Sequence, residues 1–186
     1  IPKVEVTNYE IGDWSLVPGL IMDNFDHRWK LIQTLITSDE PQERYWIQEC
    51  LKSLWEKGLE LNPVYWDRLE TEADVIIDIG AKLNDCLFAY FNTFKHYIDL
   101  FWECGSIVGP GRGSSTGFLS NYLLGITQLD PIRWELPYWR FLNKERAELP
   151  DIDIDLAPSK RPSIFRAIRR ERGELGLVQV ATFGTE

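Results

Sequence analysis

Three aspartates alternate with aliphatic residues in Pro150-Asp151-Ile152-Asp153-Ile154-Asp155-Leu156. In an extended chain, residues two apart share a face. Ile152, Ile154 and Leu156 then turn toward a core, and Asp151, Asp153 and Asp155 form a row on the other side. Asp is a poor strand former, and like charges on one face repel, so such a row calls for a cation against it. Alternate positions are about 6–7 Å apart, a spacing at which two carboxylates can share a divalent ion. Paired ions about 3.5–4 Å apart clamp phosphoryl groups in transit. Plainer readings stand beside this one. Asp151 next to Pro150 suits a turn or cap, and a row of acids suits a solvated edge that blocks sheet aggregation. A calcium loop is disfavoured, because its required Gly and distal Glu are missing from the spacing.

A second stretch carries phosphate chemistry: Gly105-Ser106-Ile107-Val108-Gly109-Pro110-Gly111-Arg112-Gly113-Ser114-Ser115-Thr116-Gly117. A short extended run leads into glycines, and a helical pattern opens after them with Phe118, Leu119, Tyr122 and Leu123 before Gly125. Glycines let the backbone approach an anion, and N–H groups at a helix start point at it. Arg112 adds charge and Ser114 a hydroxyl. The loop is neither a Walker A loop nor a dinucleotide fingerprint, and a glycine-rich turn by itself is more often just a turn. Between the two stretches Arg133, Arg140, Lys144 and Arg146 offer either surface ion pairs or a triphosphate clamp. Beyond the acidic row, Lys160 to Arg172 holds Lys160, Arg161, Arg166, Arg169, Arg170 and Arg172 against Glu171 alone. That basic cluster suits a nucleic-acid backbone or a solvated helix face paired to acids elsewhere.

Helices must position these stretches. Apolar spacing predicts one over 23–37, a second that follows the break and cap Ser38-Asp39-Glu40-Pro41 and runs to about Lys57, and a third from Pro63 to about Leu83. Gly58 suits the second helix's C-terminal cap, and Asn84-Asp85-Cys86 ends the third. Leu87 to Trp102 is aromatic and apolar, hence a buried helix, with His96 a core or edge residue and not a metal ligand. Pro162 to Arg172 forms a last helix ending at Gly173, with Ile164, Phe165 and Ile168 inward. Residues 1–20 read as extended, with a turn at Pro18-Gly19.

With 186 residues, 44% of them hydrophobic, the chain can bury a real core. Its net charge of −9 does not announce a nucleic-acid binder, so any such contact must use local basic patches. Cys50, Cys86 and Cys104 are too scattered for zinc, and reduced thiols of a cytoplasmic protein are the default. No membrane-spanning run or signal peptide is visible. The chain starts at Ile1, and its closing run Val178-Gln179-Val180-Ala181-Thr182-Phe183-Gly184-Thr185-Glu186 stops just past a glycine, so we expect a piece of a larger protein.

Taken in order, these motifs resemble one family. Val108-Gly109-Pro110-Gly111-Arg112-Gly113-Ser114, then Leu124-Gly125-Ile126-Thr127-Gln128-Leu129-Asp130-Pro131, then Arg140-Phe141-Leu142-Asn143-Lys144-Glu145-Arg146, then the acidic row, look like the alpha subunit of bacterial DNA polymerase III, the C-family replicative polymerases. Arg68-Leu69-Glu70-Thr71-Glu72-Ala73-Asp74-Val75-Ile76 upstream and Ala181-Thr182-Phe183-Gly184-Thr185 at the end fit as well. The likeness is dense from about residue 68 onward.

The resemblance implies an α+β fold: a helical N-terminal part, 1–104, packed on a nucleotidyltransferase-type palm with a mixed β-sheet, 105–186. It implies DNA-directed DNA polymerase activity with two Mg²⁺ ions, for which Mn²⁺ can substitute. Asp151 and Asp153 match the first two catalytic aspartates, and Asp155 a following acidic position that we also carry as a metal ligand. Gly111, Arg112, Gly113, Ser114, Arg140 and Arg146 are the nucleotide-binding candidates. Lys160, Arg161, Arg166, Arg169 and Arg170 are the DNA-binding candidates. The implied partners are dNTP, primer–template DNA, the remaining polymerase domains (thumb, fingers and a downstream palm strand with a third carboxylate), a sliding clamp and a proofreading exonuclease. The implied location is the bacterial nucleoid or a phage-infected cell. The family's third aspartate would lie beyond Glu186, so the isolated piece is expected not to polymerise. Ile152, Lys144, Trp139, Ala147 and Glu148 depart from the family pattern and mark a divergent member. The alternatives are a non-catalytic nucleotide- or DNA-binding module retained for assembly, and a structural helical domain with an acidic edge.

Overall fold

A computed structural model describes residues 27–180. The extended run expected over 1–20, the start of the first helix and the closing Ala181-Thr182-Phe183-Gly184-Thr185 lie outside the described residues.

Among the described residues the backbone is helical. A 3₁₀ turn, His27–Trp29, leads into α1, Lys30–Ile36. Next come α2, Pro41–Glu56, and α3, Pro63–Leu83. Both begin with proline, whose missing N–H costs nothing in a first turn. Both are capped by the preceding side chain: Glu40 accepts from the Gln42 N–H at 3.2 Å, and Asn62 from the Val64 N–H at 3.1 Å. α2 hands over at Lys57 to Gly58 at φ +66°, and α3 stops at Asn84, in the left-handed region at φ 53°. α4, Phe88–Glu103, is the aromatic helix read from the sequence.

The core lies where α2, α3 and α4 meet. Trp46, Ile47, Cys50, Leu51 and Leu54 of α2, Leu69, Ala73, Ile76 and Ile79 of α3 and Phe88 and Phe91 of α4 belong to one buried cluster, in which α2 packs on α4 and α1, and α3 on α1. Fully burying each large apolar side chain is worth about 1.5–3 kcal/mol. Burial in this core pushes the Cys50 thiol well up. Buried Asn92 of α4 donates to the Gln42 carbonyl and side-chain oxygens at 2.8 and 2.9 Å, pinning α4 to the start of α2.

Among the described residues the mixed β-sheet expected of a palm is not formed. β pairing among the described residues is one antiparallel bridge, Val108 with Leu156. The acidic segment is nevertheless extended in its burial pattern: Asp151, Asp153 and Asp155 are exposed, and Ile152 and Ile154 are turned in. The ladder fails to grow for local reasons. Pro110 has no N–H to donate, Gly109 and Gly111 turn the partner run away, and the Ala157 N–H bonds to the Ser106 hydroxyl at 3.1 Å instead of a ladder carbonyl. Three aspartates on one face weaken the pairing further. The helix expected after the glycine loop is also shorter than its pattern. A 3₁₀ turn, Gly113–Gly117, precedes α5, Leu119–Leu123. After two further 3₁₀ turns, Tyr138–Arg140 and Pro158–Lys160, the basic run forms α6, Arg161–Arg172. α6 packs on α4 through Ile164 and Ile168.

Candidate nucleotide and metal site

The glycine loop and the acidic segment run side by side in opposite directions. The Gly109 N–H donates to the Asp155 carbonyl at 2.9 Å. Arg112 forms an ion pair with the Asp155 carboxylate. A Cβ on Gly113 would lie 4.0 Å from the Asp153 carboxylate. At the far end Ser114 and Asp151 line one cavity of about 280 Å³, together with Arg140, Asn143, Arg146 and Glu148. Four residues picked from sequence, Ser114, Arg140, Arg146 and Asp151, thus share a single polar pocket.

Two glycines have backbone reasons to be there. Gly111 sits at φ +113°, where a Cβ would come within 2.9 Å of the Thr127 methyl. Gly117 lies so close to Pro137 that a Cβ would be 2.5 Å from its carbonyl oxygen. The first N–H groups of a helical turn have no partner inside it, and the Gly113–Gly117 turn begins at the glycine nearest the Asp153 carboxylate. The start of α5, expected to offer its N–H groups to an anion, is already used. The Leu119 and Ser120 N–H groups donate to the Glu72 carboxylate at 2.7 and 2.8 Å.

Glu72 is fully buried. Burial raises its carboxyl pKa to about 7, against the opposing pull of those two N–H donors and of Arg68. Arg68 lies 3.7 Å from Glu72 and donates to the Gly117 and Leu136 carbonyls, at 3.1 Å each. Phe118, directly after the glycine turn, stacks on Phe91 at 5.7 Å and lies 5.0 Å from Phe141. The loop is therefore bolted to α3 and α4. Tyr90 of α4 donates its hydroxyl to the Pro150 carbonyl, and its phenol pKa is raised by burial and by the Asp151 charge.

The sequence reading missed Arg68, Glu72 and Tyr90 as site-building residues. Glu72 carried a signal: it stands on the apolar stripe of α3 beside Leu69, Ala73 and Ile76, where a carboxylate must find buried donors. Lys144, a clamp candidate, instead pairs with Asp74 of α3, and that bond raises its pKa.

Asp151 and Asp153 form no hydrogen bond or ion pair among the described residues, and both are exposed. Mg²⁺ prefers hard oxygen donors and commonly takes one or two carboxylates plus substrate phosphates, so this donor chemistry fits. No group of three His, Cys, Asp or Glu that could hold one ion occurs among the described residues, and Asp155 is engaged by Arg112.

The basic cluster forms a second feature. Arg161, Arg166 and Arg169 line a groove of about 390 Å³ with Phe165 and Gln179. Arg169 pairs with Glu174 at 3.5 Å, while Arg166, Arg170 and Lys160 form no ion pair among the described residues. Arg172 bonds to the Tyr97 hydroxyl at 2.9 Å and pairs with Glu171 at 3.1 Å, and His96 bonds to Glu171 at 2.8 Å.

A family model described as the bacterial DNA polymerase III alpha NTPase domain matches residues 38–186. The chain belongs to this family. Probable DNA polymerase YorL of Bacillus subtilis (strain 168) is 35% identical over 197 residues, covering 100% of this chain. A DNA-directed DNA polymerase of Bacillus phage SPbeta is similar to the same degree. DNA polymerase III subunit alpha of Staphylococcus aureus (strain MRSA252) is 39% identical over 159 residues, or 85% of this chain. The chain spans 14% of the length of each of these relatives. Among the described residues no helix is long and apolar enough to cross a membrane.

Proposed function

We propose that this chain is the nucleotide-handling segment of a DNA-directed DNA polymerase and works within a longer cytoplasmic polypeptide. The observation that carries this reading is the shared pocket of Ser114, Arg140, Arg146 and Asp151, in a chain of the polymerase III alpha family. Residues 1–104 would serve as the helical support, and 105–186 as the part that meets substrate. Ser114, Arg140 and Arg146 would hold the triphosphate of a dNTP, with Gly111 and Gly113 giving its oxygens room to approach the backbone. Asp151 and Asp153 would supply the carboxylates for Mg²⁺. When bound, such ions acidify a primer 3′-hydroxyl and neutralise the leaving pyrophosphate. Arg112 would exchange Asp155 for a phosphate as the nucleotide enters. Lys160, Arg161, Arg166, Arg169 and Arg170 would run along the primer–template backbone. Sliding clamp and proofreading exonuclease would contact other parts of the polypeptide.

The test is primer extension by the longer polypeptide with Mg²⁺ and deoxynucleotides, wild type against Asp153→Asn. Template-directed extension that disappears in the variant, with the fold intact, sustains the proposal. Undiminished extension by the variant would refute the assignment of this segment. The same assay on the 186-residue chain should give no extension. A binding module without catalysis is the competing reading. No extension by the wild-type polypeptide would select it.

A further inference from the structure

Two segments of the proposed nucleotide pocket come from distant parts of the chain, the Gly113–Gly117 turn and the Tyr138–Arg140 turn. They pack on each other, and one side chain bridges them. The Arg68 guanidinium donates through one nitrogen to the Gly117 carbonyl and through the other to the Leu136 carbonyl, both at 3.1 Å. Its plane lies over the Tyr138 ring, 5.5 Å from the centroid. Behind it, fully buried Glu72 stands 3.7 Å away and ties down the first two N–H groups of α5. Both residues project from one helix, α3, a turn apart, so the brace is as rigid as that helix. We propose that Arg68, steadied by Glu72, is a positioning residue that sets the separation of Ser114 from Arg140 across the pocket. This rests on the nucleotide reading above. A planar guanidinium fixes the angle between its two donors and so fixes where the two carbonyls sit. A lysine would keep the charge beside Glu72, but its freely rotating donors on a flexible stem set no such geometry.

The experiment compares Arg68→Lys with wild type in the 186-residue chain, using two readouts. Titration calorimetry with dATP and Mg²⁺ should show binding weakened about tenfold or more in Arg68→Lys, while its melting temperature stays within a few degrees of wild type. Equal affinity in the two proteins would overturn the proposal. Amide hydrogen exchange is the second readout. Exchange at the Phe118 and Phe141 amides should speed together, with α2 unchanged. Unchanged exchange at either amide would overturn the brace whatever the calorimetry shows. If wild type fails to bind dATP, the nucleotide reading falls for this chain, and exchange alone decides whether Arg68 couples the turns. Glu72→Gln, which keeps one acceptor for the α5 N–H groups, should show the same paired loosening to a smaller extent.

Discussion

The buried carboxyl of Glu72 should make the stability of this protein depend on pH in a window where exposed carboxylates are silent. Its pKa rises from 4.5 to about 7 on folding, because burial disfavours the charge more than Arg68 and two N–H donors favour it. The folded state therefore holds this proton more tightly than the unfolded state. Its stabilising contribution is fully present below pH 4.5 and is lost as pH rises through 7. At about 1.4 kcal/mol per pH unit, the swing across the window is about 3 kcal/mol. Full burial of the group means no solvent screening reduces it. Glu72→Gln removes the titration and keeps an acceptor. Urea unfolding of both proteins at half-unit steps from pH 4.5 to 8 isolates the effect, since all other groups cancel in the difference. The stability of wild type relative to Glu72→Gln should fall steadily as pH rises, then level off above about 7.5. A flat difference, or one that grows with pH, would show that Arg68 and the α5 donors keep Glu72 ionised and that burial is not the deciding effect.

Asp153→Asn should change unfolding free energy by no more than about 0.5 kcal/mol, because its carboxylate has no partner among the described residues to lose; chemical denaturation checks this. Gly111→Ala should destabilise by about 1–3 kcal/mol, since it combines φ +113° with a 2.9 Å contact to Thr127, whereas Gly58→Ala, at φ +66° with open space around it, should cost about 1 kcal/mol or less in the same denaturation series. Phe91→Ala should cost about 3–5 kcal/mol in thermal unfolding, as it empties the ring stack shared with Phe118 and Phe141. Tyr90→Phe should cost about 0.5–1.5 kcal/mol by releasing the Pro150 carbonyl, and proteolysis next to Pro150 should speed if that bond holds the acidic segment in place.

The sequence by itself determined the long helices. Prolines near the helix starts, apolar residues at helical spacing and a left-handed residue at the end act within a few residues of chain, so the end of α2 and both ends of α3 could be read closely. It also determined which faces of the acidic segment turn in and out, because alternation needs no knowledge of the partner. The family could be read from the order of the motifs. Sheet formation could not, since a strand exists only when a second backbone satisfies its N–H and C=O groups, and here Val108 and Leu156 meet in one bridge before Pro110 and the glycines divert the chain. Nor could the sequence show that Glu72, 47 positions before Leu119, occupies the helix start that seemed free for an anion. Only the tertiary structure decided that Ser114, Arg140, Arg146 and Asp151 share a pocket and that Arg112 is held by Asp155. Ser114 with Asp151 and Arg112 with Asp155 join residues tens of positions apart, and the meeting of the glycine loop with the acidic segment sets them together.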